Sequence, residues 1–530
     1  MIVYKRISGM VSAVIMAAVG LSLALLLLNR PLPVQAIRVV TTRYVATTGD
    51  DGGGSNDCAS QATPCRNVQH AVDQSDPGDE ILVARGVYSG VQAREGMTQV
   101  VYISQTVILR GGYTTGDWDT SDPKAHPTTL DAEGQGRVIA IVGDITPTLE
   151  GFIVTHGNAT GQTTGCPIPY PDGCGGGIFA YQSHPIIVNN VITNNVAAVT
   201  TAGLPAGDTG FGGGLHLGYT ARAVISGNLV ISNAGSLAAN GRGGGINLDG
   251  PYDVQVSFNQ VLSNAATTVD FRPGWGGGIA LRGGSATVEG NDIKGNWATG
   301  ARDLTYGQGA GLYQWYGSYD FVDNRVVNNF GDHAVYLGYS QSRFASNQVV
   351  DNATSIGIQL VNNNAGGLTL TNNIVAGSGD TSLSAFGYVS WPLTATLLHN
   401  TLVGSGTGYG VSVETDYVTL FLTNNIVSGH AWGISNTYTA SSVMADHTLF
   451  WANEQDGLRG TNPIEGDPDF IDPGRGNYHL GPNSAAIDAG ANAGVTADIE
   501  GDQRPRGLLP DIGADEAWWK QFFLPLMVRK

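Results

Sequence analysis

From residue 151 onward, short apolar runs alternate with polar positions, and glycine and asparagine punctuate them at regular places. Four runs open on glycine: Gly175-Gly176-Gly177-Ile178, Gly212-Gly213-Gly214-Leu215, Gly243-Gly244-Gly245-Ile246 and Gly276-Gly277-Gly278-Ile279, with weaker copies starting at Leu312, Val335, Ile358, Val411 and Ile434. About a dozen residues later comes a second unit, an Asn followed by apolar residues. It reads Asn189-Asn190-Val191-Ile192, Asn228-Leu229-Val230-Ile231, Asn259-Gln260-Val261-Leu262 and Asn291-Asp292-Ile293. It returns at Asn324, Asn347, Asn372 and Asn424, with His399 and Asp446 in its place at two positions. Runs this short, with period two, predict strands. From Asn324 the unit recurs after 23, 25, 27, 25 and 22 residues, which suits one turn of a parallel solenoid made of two or three strands. One turn cannot bury its own apolar face, but turns stacked about 4.8 Å apart share a continuous core. Glycine supplies the positive φ and close approach that the bends need. The Asn side chains are expected to form an internal ladder at one bend.

Before Asn324 the repeat lengthens to 38, 39, 31, 32 and 33 residues, counted from Gly151. The extra residues fall between the Asn unit and the next glycine opening, at about 158–174, 195–211, 234–242, 265–275 and 297–309. Insertions at one point of successive turns project from one face, often a binding face. They carry Tyr170, Asp172, Asp208, Phe211, Asp270, Phe271, Arg272, Trp275, Trp297, Asp303 and Tyr306. Beside them, alternation turns one residue of each opening inward and its successor outward. The outward row is Phe179, His216, Asn247, Ala280, Tyr313, Tyr336 and Gln359, and a second row is Tyr181, Gly218, Asp249, Arg282, Trp315 and Gly338. Stacked rings with amides suit a sugar chain, the rings on pyranose faces and the polar groups on hydroxyls. The expected ligand-binding set is therefore Phe179, Tyr181, Asn247, Tyr313, Trp315 and Tyr336 with Trp275. Cross-strand stacking is the plainer account of the same rings. If the face is catalytic, Asp249 is the acid or base, His216 the proton shuttle and Arg282 the carboxylate or oxyanion partner. An exposed ion pair would use the same residues for little.

Composition narrows the class. Of 530 residues 76 are Gly and only 13% are charged, while 42% are apolar, so the chain is neither disordered nor collagen-like. Residues 1–36 read as an export leader: Lys5 and Arg6, an apolar stretch from Ile7 to Leu28, then Val34-Gln35-Ala36 for cleavage, with an uncleaved anchor as the alternative. The chain has 26 bases and 44 acids; without Lys5, Arg6 and Arg30 it keeps 23 bases, a net charge of −21. Such a surface repels nucleic acid and anionic lipid. In an exported chain the pairs Cys58/Cys65 and Cys166/Cys174 predict two local disulfides. Calcium is the one cofactor considered, with Asp467, Asp469, Asp472, Asp498, Glu500 and Asp502 as oxygen donors and turn formation as the rival role. A monomer is expected.

The repeats resemble the right-handed parallel β-helix proteins of the pectin-lyase-like superfamily over roughly residues 44–455. Cys65-Arg66-Asn67-Val68-Gln69-His70-Ala71-Val72, then Pro77-Gly78-Asp79-Glu80-Ile81-Leu82-Val83, is similar to that family's capping helix and first strand. The resemblance implies an all-β, right-handed single-stranded parallel β-helix with an N-terminal capping helix. Gly466-Asp467-Pro468-Asp469-Phe470, Ser484-Ala485-Ala486-Ile487-Asp488-Ala489-Gly490 and Asp511-Ile512-Gly513-Ala514-Asp515-Glu516 resemble the choice-of-anchor Q segment of bacterial surface proteins. The expected domains are thus a leader (1–36), a β-helix (37–455), that segment (456–516) and a tail (517–530). The paired-Asp strings and Arg-Ile-Lys of polygalacturonase-like hydrolases are missing, and Lys294 is the one lysine in the repeats. A secreted or cell-surface glycan binder is the leading expectation. A polysaccharide lyase or glycoside hydrolase in the same groove comes second, and an adhesin or spacer third.

Overall fold

In the computed structural model the described residues are 40–167, 171–199, 209–300, 306–361 and 367–518. The expected leader lies outside them, as do Tyr170, Asp208, Asp303 and the tail beyond Trp518. Each triple glycine is followed by a four-residue strand: Ile178–Tyr181, Leu215–Gly218, Ile246–Asp249 and Ile279–Arg282. These pair in parallel, Ile178 with Leu215, Leu215 with Ile246 and Ile246 with Ile279. A second strand per turn (Ile186–Val188, Val224–Ser226, Val254–Ser257) and a third (Val191–Thr193, Leu229–Ile231, Gln260–Leu262) stack the same way. The chain is a parallel β-solenoid whose three faces are here named the opening, middle and closing sheets.

Alternation puts Ile178, Leu215 and Ile246 from the opening sheet, Ile187 and Ile225 from the middle sheet, and Ile192 and Val230 from the closing sheet into one core. All are fully buried, in a cluster that runs from Val45 to Phe450. Each such side chain stabilises by roughly 1.5–3 kcal/mol when buried. Glycine is obligatory at the openings. Gly243 has φ 61°, a conformation that L side chains rarely adopt. A Cβ on Gly244 would sit 2.2 Å from the Ala265 carbonyl oxygen of the following turn.

The expected asparagine ladder exists, but three rungs differ from the sequence reading and there is a second ladder. Its members are Asn190, Asn228, Asn259, Asn291, Asn324, Asn347, Asn373, Asn400 and Asn425. Each Nδ2 donates to the Oδ1 of the next at 2.9–3.2 Å. Each backbone N–H donates to that same oxygen, as from Asn228 to Asn259 at 3.0 Å. Five residues on, Asn195, Asn233, Asn264, Asn296, Asn329 and Asn352 form a parallel ladder. Every three-residue strand of the closing sheet in this stretch is therefore held between two rails of buried amides. Asn372, His399 and Asn424, which pattern alone placed in the ladder, stand one residue before it at positive φ.

At the N-terminal end, helix Val68–Gln74 adds Val68, Ala71 and Val72 to the same core, and the Cys58–Cys65 disulfide is buried with them. At the other end, residues 464–514 lie along the outer face of the closing sheet. Tyr478, Ile499 and Ala514 pack on Val327, Val350 and Ile374, while Leu480, Ala486 and Ile512 pack on Ile426 and Leu449. Asn372, His399 and Asn424 dock this segment. Asn372 Nδ2 donates to the Ala497 carbonyl at 2.7 Å, Asn424 exchanges two hydrogen bonds with the Ala491 backbone, and His399 Nδ1 meets the Asp511 carbonyl at 3.1 Å. Arg504 is buried beneath, paired with Glu516 at 2.9 Å.

Candidate functional site

Part of each insertion is strand. Pro171–Cys174, Thr209–Phe211, Asn240–Arg242, Gly274–Trp275 and Gly307–Gln308 form a small parallel sheet in which Cys174, Phe211, Arg242, Trp275 and Gln308 follow one another in register. This sheet is a wall beside the opening sheet, because the triple glycine turns the chain from one directly into the other. The Cys166–Cys174 disulfide ties the first insertion to the wall.

The expected rows are in register. Phe179, His216, Asn247, Ala280, Tyr313, Tyr336 and Gln359 are successive partners, and so are Tyr181, Gly218, Asp249, Arg282, Trp315 and Gly338. They face away from the main core and join two separate clusters, one around Phe179 and Phe211 and one around Tyr313 and Tyr336. The first row is nevertheless buried rather than open, with Phe179, His216, Asn247, Tyr313 and Tyr336 each under 7% exposed. The wall and its neighbours cover it. The Arg137 guanidinium lies 4.3 Å from the Phe179 ring, Phe211 meets His216 edge-on, and Arg242 reaches toward both Phe211 and Trp275. The accessible part of the face is the second row, where Tyr181, Arg282 and Trp315 are partly exposed, together with Trp275 of the wall.

Burial sets the electrostatics. His216 is held neutral, its pKa lowered to about 3 by burial and by the charges of Arg137 and Arg242. Its Nδ1 lies 2.9 Å from Asn247 Nδ2. Its Nε2 and the Asn247 Oδ1 have no hydrogen-bond partner, and Nε2 is 3.2 Å from where a Cβ on Gly218 would be. Asp249 is nearly buried, and that desolvation raises its pKa against the opposing pull of Arg282 and Arg242. Asp249 and Arg282 are neighbours in register without a direct ion pair. The structure thus brings His216 together with Asn247, and Asp249 with Arg282 and Arg242. An open cavity of about 530 Å³ adjoins Phe179 and Tyr181, lined also by Glu95, Met97, Tyr102 and Val142. A larger crevice, about 780 Å³, lies away from this face, between residues 494–501 and the Asn324–Asn372 side of the solenoid.

Sequence reasoning missed Arg137 and Arg242. Arg242 directly precedes a triple glycine, as Phe211 does, so its place in the wall was readable from that alignment. Arg137 precedes Val138-Ile139 at an opening with a single glycine, Gly136, which hid the repeat. Also missed were the rings just past the second row. Tyr316 stacks on Tyr339 at 4.8 Å, and Tyr339 meets Trp391 edge-on at 5.7 Å. Of the acids considered for calcium, three accept from backbone amides. Asp467 accepts from the Asp469 amide, Asp469 from Asn483, and Asp498 from Glu500 and Asp502.

No curated protein matches the chain. Among solved structures it is similar to the pectate lyase Pel9A (15% identity, 91% of this chain and 97% of that one, TM-score 0.41). It is also similar to a rhamnogalacturonan lyase (11% identity, 81% and 90%, TM-score 0.30). A third is a family 28 exopolygalacturonase of Yersinia enterocolitica (12% identity, 78% and 78%, TM-score 0.31). The family described as right handed beta helix region matches residues 151–305 and 276–402. Stacked parallel strands in three faces, one capping helix and that match define the fold as a right-handed parallel β-helix.

Proposed function

We propose that this is an exported, secreted or cell-surface, β-helix protein that binds polysaccharide along the walled opening face. The observation that carries the reading is the in-register row Tyr181, Asp249, Arg282 and Trp315 running beside Trp275, with rings and polar groups presented at the spacing of successive turns. Rings that keep one face accessible offer a pyranose an apolar platform, while Arg282 and backbone groups meet its hydroxyls. The two disulfides fit an oxidising compartment. The segment similar to choice-of-anchor Q fits attachment at a surface. The test is retention of the full chain by immobilised neutral and acidic polysaccharides, with and without calcium. Wild-type protein should be retained, and Trp275→Ala and Trp315→Ala should elute early. Passage of the wild type through every matrix would end the reading.

A second reading, a polysaccharide lyase or glycoside hydrolase, is favoured by one observation. Asp249 is a nearly buried carboxyl with a raised pKa that accepts no hydrogen bond and faces two arginines, which is the character of a general acid. On this reading His216 would be the proton shuttle and Arg282 would hold a carboxylate or oxyanion. New reducing ends or unsaturated products that vanish in Asp249→Asn, with retention intact, would establish it.

A further inference from the structure

Beyond the walled face, the bends between the opening and middle sheets carry partly or fully exposed rings in five turns from Tyr316 onward, with one bend between them, 362–366, outside the described residues. Tyr316 and Tyr339 occupy the same position of adjacent turns, and Tyr388 with Trp391, then Tyr417, then Tyr438 follow at the bends farther along. Tyr316, Tyr388, Trp391, Tyr417 and Tyr438 are 38–48% exposed. At a rise of about 4.8 Å per turn, the five steps from Tyr316 to Tyr438 span roughly 24 Å parallel to the solenoid axis.

Folding alone does not account for these rings. Tyr316, Tyr339 and Tyr417 have φ of 59°, 51° and 68°, a region where a bulky residue is an outlier and glycine or asparagine is at ease. The solenoid does use glycine there, at Gly250 and Gly283 in the equivalent bends. A tyrosine in that conformation with half its ring in water costs backbone strain and returns little burial.

The surroundings define what would lie on the ridge. The described bend segments 316–318, 339–342, 386–393, 414–418 and 437–441 contain no Lys or Arg. Their polar residues are hydroxyls and one amide, Gln341, and their charges are Glu414 and Asp416. On a chain of net charge −18, such a strip repels anions. Rings flanked mainly by neutral hydrogen-bonding groups, with two acids and no cation in these bends, match an extended, uncharged polymer bearing both apolar faces and hydroxyls.

We propose that this ridge is a docking track for an uncharged polysaccharide lying parallel to the solenoid axis. The inference rests on the glycan-binding reading above and narrows it to neutral polymers held at a second place. Affinity of the full chain for soluble mixed-linkage β-glucan, xylan, galactomannan and polygalacturonate, by affinity electrophoresis and calorimetry, tests it. At least one neutral polymer should bind more tightly than polygalacturonate. Trp391→Ala and Tyr316→Ala should each weaken that binding roughly tenfold or more, with Trp391→Phe restoring most of it and melting temperatures confirming that the variants fold. Neutral binding unchanged in both alanine variants but lost in Trp275→Ala overturns the ridge and leaves the walled face standing. Preference for polygalacturonate overturns it too. Self-association of the wild type that Trp391→Ala abolishes, without glycan binding, makes the ridge an interface between copies and overturns both readings, as does binding to no polymer.

Discussion

The opening and closing sheets are both covered, in opposite ways. The wall over the opening sheet is supplied turn by turn, each turn adding one strand, and it meets the sheet through rings, guanidinium groups and one imidazole. The closing sheet is covered by a single returning segment, several of whose acids are tied to backbone. Asp511 accepts from the Asp488 and Ala517 amides, Glu516 from Asp511 and Arg506, and Asp515 from Leu480. On the first side polar atoms such as His216 Nε2 and Asn247 Oδ1 are left without partners; on the second side these three carboxylates accept from backbone amides. The two covers therefore differ in kind: one leaves buried polar atoms without partners and the other fixes a segment in place.

The sharpest way to break this comparison is at Arg504. Its pair with Glu516 is fully buried, and its guanidinium also donates to the Asp511 and Gly513 carbonyls. Arg504→Met leaves Glu516 buried and unpaired, at a cost of about 3–5 kcal/mol. Limited proteolysis should then release residues beyond 456 while the solenoid survives. Loss of the whole fold instead would mean that the segment is part of the core.

Next in size is the ladder. Asn259→Ala removes the acceptor of two Asn228 donors and leaves both buried. A loss of about 2–3 kcal/mol is expected from denaturant unfolding. The corresponding change at Asn453, where the second row of amides is broken by Ser378, Ser405 and His430, should cost less.

Acid should weaken the cover of the opening sheet; on the closing sheet His399 acts the same way, while Asp511 and Glu500, raised to about 7 chiefly by burial, act against it. His216 and His399 are neutral in the folded chain, with pKa values lowered to about 3, chiefly by burial. Unfolded, they titrate near 6.5, so between about pH 6.5 and pH 3 these two sites bind more protons in the unfolded chain, and the stability they contribute is lost as pH falls. Across that window the melting temperature of the parent protein should fall relative to that of His216→Gln. An unchanged slope in His216→Gln would place any acid sensitivity at the other buried imidazoles, His399 and His430. The smallest effect is expected at Trp275→Ala, whose half-buried ring should cost about 1–2 kcal/mol in thermal unfolding while glycan retention falls more visibly.

The solenoid was legible because its signal is repeated. Alternation placed the inner and outer positions of the opening strands correctly from Phe179 to Gln359, and the close cysteine pairs are disulfides. What the pattern could not carry was the cover. Whether Phe179 or Tyr313 sees solvent depends on how insertions pair with each other, and these have no shared motif beyond the residue before the glycines. The same limit moved Asn372, His399 and Asn424 into the ladder: side by side with Asn373, Asn400 and Asn425, they differ only in the direction the bend turns them. The second ladder was readable, as an Asn five residues after the first, but apolar spacing drew attention away from it.

The ladders also have a direction. Every rung gives its backbone N–H and one Nδ2 hydrogen to the amide of the turn that follows it in sequence, and its other Nδ2 hydrogen to a backbone carbonyl of the turn before. A chain that forms from its N-terminus thus carries, at each stage, an unfilled pair of donors on its last completed turn, waiting for an amide not yet made. Growth by one turn satisfies that pair and creates the next. The stack behaves as a templated polymerisation of a single molecule, with its reactive end always at the newest turn.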